Sequence, residues 1–77
     1  MSIVITSEKA THNVGRNIAR ILQDRGMSQA ELARRSGESQ MNISRIIRGQ
    51  NEPLVSTVAR IAEALDVLVD VLLRDAA

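Results

Sequence analysis

Residues 28–48 read SQAELARRSGESQMNISRIIR. The stretch divides at Ser36-Gly37-Glu38-Ser39 into two short segments, each opened by a serine. Ser28-Gln29-Ala30-Glu31 has the capping-box pattern, in which the Ser28 hydroxyl takes a free amide at a helix start and Glu31 reaches back. Ser39 can cap a second helix, Gln40 to Arg48. Leu32 and Ala33 face inward in the first helix, Ile43 and Ile46 in the second. Two short helices joined by a few-residue turn containing Gly form the helix-turn-helix pattern. Short polar side chains at the start of the second helix reach base edges in the major groove. Here these are Gln40, Met41, Asn42, Ser44 and Arg45. Gln and Asn pair bidentately with adenine, Arg pairs with guanine, and Met touches a thymine methyl.

Outward from this pair the helical spacing continues. Val14, Ile18, Ile21 and Leu22 define one face of a segment from about Asn13 to Arg25. Val58, Ile61, Ala62 and Leu65 do the same from about Val55 to Leu65. Gly26, Gly37 and Gly49 each follow a helical segment, where a helix end favours a residue tolerant of positive φ. Gly15 is the exception and lies inside one. The polar stretch from Gly49 to Pro53 reads as a loop. The last apolar run, Val67 to Leu73, is rich in β-branched residues, yet a fifth short helix suits its helical neighbourhood better than a strand. Ile3-Val4-Ile5 carries a strand signal with no second strand to pair with.

The whole chain has 77 residues, no Phe, Trp or Tyr and no Cys. It is one domain's worth of sequence, and its core must be built from aliphatics, Met and Ala. Without cysteine there is no disulfide, thiolate metal site or Cys nucleophile. His12 is the one histidine, so neither a metal site nor a nucleophile–base pair is expected, and the chain does not read as an enzyme. No cofactor is expected either, since no phosphate-binding glycine pattern occurs. No apolar run approaches a membrane span, and no signal peptide is visible, so a cytoplasmic location is expected.

Net charge is +1, unevenly spread. From Val14 to Gly49 seven Arg face three carboxylates, whereas from Gln50 onward two Arg face five. Guanidinium forks suit phosphates and base edges. The plain alternative is a solvated surface, with Arg16 and Arg20 merely pairing with Asp24.

These residues together resemble the Cro/C1-type (lambda-repressor-like, XRE) helix-turn-helix family. The likeness rests on Val14 to Leu22, Gly26 to Ala33, Asn42 to Ile46, Arg48-Gly49 and Ile61 to Leu65, and it covers roughly residues 13 to 73. It implies an all-α, compact five-helix domain over residues 13–74, preceded by a short extended arm over residues 1–12. It further implies a DNA-binding transcriptional regulator, expected to be a repressor, that grips a pseudo-palindromic operator as a homodimer. By the resemblance Gln29 contacts a phosphate and braces Gln40, and Gln50 and Asn51 touch phosphates. Ser39, Arg48, Arg16 and Arg20 are further expected phosphate contacts.

Four positions depart from the family pattern: Ile47, Asp66, Leu68 and Val71 stand where Glu, Gly, Ser and a polar residue are usual. Leu68 removes a helix cap, at a cost of about 1 kcal/mol. By the family pattern Val69 and Leu72 face the core, which leaves Leu68 and Val71 outside as the expected dimer interface, meeting their mates across a two-fold axis. Two other readings share the fold. One is the antitoxin of a toxin–antitoxin pair, with a toxin as protein partner. The other is a protein-interaction module without DNA binding, against which the Arg excess of residues 16–48 argues.

Overall fold

The computed structural model describes residues 8–75, and the Ile3-Val4-Ile5 segment lies outside them. Five helices follow one another: α1 (Glu8–Arg25), α2 (Gln29–Ser36), α3 (Gln40–Ile47), α4 (Val55–Leu65) and α5 (Val69–Leu73). No strand occurs among the described residues. α1 begins five residues earlier than the apolar spacing predicts, so Glu8 to His12, expected as part of an extended arm, is helical. That turn carries no apolar stripe to announce it. Once the Val14–Leu22 face has nucleated the helix, extension upstream adds a hydrogen bond for each residue fixed.

The serine caps form as the sequence predicts. Ser28 Oγ accepts from the Glu31 amide and Ser39 Oγ from the Asn42 amide, both at 3.0 Å. The Glu31 carboxylate does not complete the box but turns to Arg34 and Arg35. α4 and α5 have no such cap, because leucines occupy both N-cap positions, Leu54 and Leu68. α3 ends in a Schellman turn, with the Gly49 amide on the Ile46 carbonyl and the Gln50 amide on Arg45. Asp66 closes α4 in the left-handed region (φ 56°), the one described non-glycine residue to do so.

Every inward position predicted on α1 to α4 is buried, and Leu72 joins them from α5. α1 packs on α3 and α5, α2 on α3 and α4, and α4 on α5. Gly15 explains the close approach of α1 to α3. A Cβ there would lie 2.3 Å from the Ile46 carbonyl oxygen and 2.8 Å from that of Ile47. At the far side of α1 the fully buried Asn17 donates to the carbonyl oxygens of Leu72 and Arg74, both at 2.9 Å. α5 is thereby held by hydrogen bonds as well as by Leu72.

The expectation that Val71 lies outside is corrected, and Ile47, another departure from the family pattern, is placed like it. Both are half-buried and pack against the core. α5 is so short that its whole length lies over α1 and α4, and Val67, Val69, Val71 and Leu73 all lean on the same cluster. Leu68, which precedes the helix, is the one apolar residue of this run that stands clear, 74 % exposed.

Candidate nucleic-acid interface

α3 is amphipathic in the sense its position needs. Ile43 and Ile46 are sunk in the core, while Gln40, Met41 and Arg45 are exposed, Met41 to 62 %. Ser44 is half-buried beside them. The Ser39 cap uses only the oxygen's lone pair, so its hydroxyl proton stays available to a phosphate. Gln29 is half-buried at the start of α2. No hydrogen bond joins it to Gln40 among the described residues, so the brace implied by the family resemblance is not made here.

α3 is braced differently. Asn42, expected at a base edge, is half-buried, and each end of its amide makes a hydrogen bond within the protein. Its Nδ2 donates to Glu38 Oε1 at 2.6 Å, and its Oδ1 accepts from Asn51 Nδ2 at 2.8 Å. Glu38 Oε2 in turn pairs with Arg60 on α4. Each end keeps spare capacity, one N–H and one lone pair, but Glu38 and Asn51 set the orientation in which Asn42 can present them. Hydrogen bonds from Arg60, with a smaller contribution from Asn42, hold the Glu38 carboxyl below the usual carboxylate range against the opposing effect of burial. Sequence reading missed this chain, since Glu38 and Arg60 lie 22 residues apart and only the fold makes them neighbours.

The arginines separate into two sets. Arg34 and Arg35 meet Glu31, Arg60 meets Glu38, Arg74 meets Asp70, and Arg25 donates to the Leu65 carbonyl. Arg16, Arg20, Arg45 and Arg48 have no partner among the described residues. Arg16 and Arg20 therefore do not pair with Asp24. Arg16 and Arg48 line one cleft with Ile47 and Gly49, of about 180 Å³. Gln50 is exposed just beyond it, and Asn51 is half-buried against Asn42. Among the described residues no cluster of His, Asp and Glu could hold a metal ion, and no helix is long and apolar enough to cross a membrane.

Two short capped helices with an exposed polar start to the second define a helix-turn-helix protein. Residues 18–72 match the helix-turn-helix family, and the chain belongs to it, as a DNA-binding transcriptional regulator of the Cro/C1 type. It is 43 % identical over 54 residues, 70 % of either chain, to the uncharacterized HTH-type transcriptional regulator y4dJ of Sinorhizobium fredii. Among solved structures it is similar to the restriction-modification controller C.AhdI of Aeromonas hydrophila, with TM-score 0.77 and 26 % identity, covering 80 % of this chain and 94 % of that one. It is also similar to the hypothetical transcription factor NHTF from Neisseria, with TM-score 0.82 and 26 % identity over 92 % and 83 % of the two chains.

Proposed function

We propose that this regulator acts as a homodimeric repressor in the cytoplasm, occluding polymerase at a pseudo-palindromic operator, with no catalytic step. The observation that carries the reading is the division of the arginines. The four without a partner among the described residues lie on α1 and at the end of α3, where phosphates would complete Arg16, Arg20 and Arg48 and a base edge Arg45. In this reading Gln40, Met41, Ser44 and Arg45 read bases. Gln29, Ser39, Arg48, Gln50, Asn51 and the α1 arginines hold phosphates, and Arg16 and Arg48 share one of them across their cleft. Leu68 anchors the two-fold contact, with Val71 at its edge.

Binding to a randomised duplex library, followed by titration of the selected duplex across salt concentrations, tests the reading. A dimer neutralising about 8 phosphates gives a log–log slope near −7. Arg48→Ala and Arg16→Ala should each flatten that slope by about 1 for every phosphate no longer neutralised, and weaken all sequences alike. Arg45→Ala should instead cost about 1–3 kcal/mol at one base position. An affinity independent of salt overturns the reading.

A further inference from the structure

Glu38 is the one acidic residue between Glu31 and Glu52, the stretch that carries the recognition helix. It stands immediately before the N-cap of α3, and its side chain is only 12 % exposed. A carboxylate there opposes a polyanion. Yet both its oxygens are committed inside the protein, one to Asn42 and one to Arg60, and Asn42 passes the connection on to Asn51 beyond the end of α3.

We propose that Glu38 is a positioning residue for base reading: through Asn42 it fixes α3 against the loop at Asn51, and through Arg60 it ties that helix to α4. Asn42 is then a brace, and discrimination among sequences falls to Gln40, Met41, Ser44 and Arg45. The inference rests on the interface proposed above. Its physical basis is that α3 has only two turns, too few to hold themselves. Ile43 and Ile46 fix which face is inward, but apolar contacts are non-directional. The hydrogen bonds to a charged carboxylate are directional and about twice as strong as neutral ones. They span the helix from its first turn to the loop after its last.

The sign of the effect separates positioning from simple charge. Removing an acid beside DNA should strengthen binding to every sequence. If Glu38 positions α3, Glu38→Ala should strengthen binding to a scrambled duplex, by about twofold at low salt, and weaken binding to the library-selected duplex by about tenfold. Asn42→Ala should show the same tenfold weakening without the non-specific gain. The double variant should bind no more weakly than the worse single one, because both act through one chain of bonds. Glu38→Gln, which keeps an acceptor for Asn42 and disturbs the fold least, should retain more discrimination than Glu38→Ala. Circular dichroism on each variant establishes that it is folded at the assay temperature. Tighter binding of Glu38→Ala to selected and scrambled duplexes alike overturns the proposal, as do fully additive effects in the double variant. If Asn42→Ala relaxes preference at a single base while Glu38→Ala does not, Asn42 is a reader and the proposal is wrong. If Arg45→Ala also leaves the selected sequence unchanged, the interface itself is misplaced and both readings fall together.

Discussion

Gly15 of α1 and Ile46 of α3 meet backbone to backbone, so closely that a Cβ on the glycine would stand 2.3 Å from the isoleucine carbonyl oxygen. Neither side of that contact is a rotatable side chain, so a methyl group can be admitted only by moving a helix. Gly15→Ala gains up to about 1 kcal/mol of helix propensity. Overpacking of this kind costs about 1–3 kcal/mol and more where backbone must shift. The expected net result is a lower melting temperature, by about 4–8 °C for each kcal/mol of net destabilisation, together with weaker operator binding as α3 is displaced. A variant that melts higher than the parent would show that the contact is slack.

Leu68 places two requirements on one residue. As the N-cap of α5 it leaves the helix start without a side-chain acceptor, and as an exposed leucine it offers the apolar surface proposed above for a two-fold contact. Leu68→Ser should raise the stability of the monomer by about 1 kcal/mol. It should weaken dimerisation by roughly 1.5–3 kcal/mol for each leucine side chain removed. Sedimentation and thermal melting at low concentration should therefore move in opposite directions. Leu68→Glu should be monomeric while remaining helical. If it stays dimeric, the two-fold contact lies elsewhere.

Asp66 occupies a left-handed position at the end of α4, is exposed and makes no side-chain bond among the described residues. Glycine takes that conformation without the Cβ clash. Asp66→Gly should stabilise the fold by roughly 0.5–1 kcal/mol, seen as a higher denaturation midpoint with unchanged slope. No change would mean that Asp66 is unstrained there.

The depressed pKa of Glu38 has a direction in pH. Unfolding returns the carboxyl to its ordinary value, so the folded state binds the proton less readily than the unfolded state does. The stabilisation is complete above the unfolded value, about 4.3, and fades as pH falls through the lower folded one. Glu38→Gln should thus be less stable than the parent at pH 7, and the difference should shrink as pH falls below about 4. A difference that persists unchanged through about pH 3 would show that the charge contributes nothing.

The fold was legible wherever local patterns decide it. The Val14–Leu22 spacing, the Ser28 and Ser39 caps and the glycine after α3 each need only a few adjacent residues, and each appears in the structure as read. What escaped depends on residues distant in sequence. Asn42 reads as a base contact from its position alone, and its bonds to Glu38 and Asn51 become visible only in the fold. Ile47 and Val71 look like solvent-facing departures until α1 and α5 close over the core. Leu54 gives no hint of its cap position, because a missing cap leaves no residue signature. The turn from Glu8 to His12 was invisible for the same reason, having no apolar face to mark it.

Asn17 bears on the order in which the chain is expected to assemble. Its bonds to Leu72 and Arg74 join positions 55 and 57 residues apart, among the widest closures of backbone in the domain. Contacts of that span are slow to form and are rewarded only after the intervening loops have closed. α5, five residues long, has little reason to exist before α1 is in place to receive it. The surface around Leu68 is therefore expected to take shape late in folding. A partly folded chain already displaying its α2–α3 pair would lack the means to find a second subunit. On the two-fold contact proposed for Leu68, dimerisation would report that a subunit is finished, and only finished subunits would arrive at an operator in pairs.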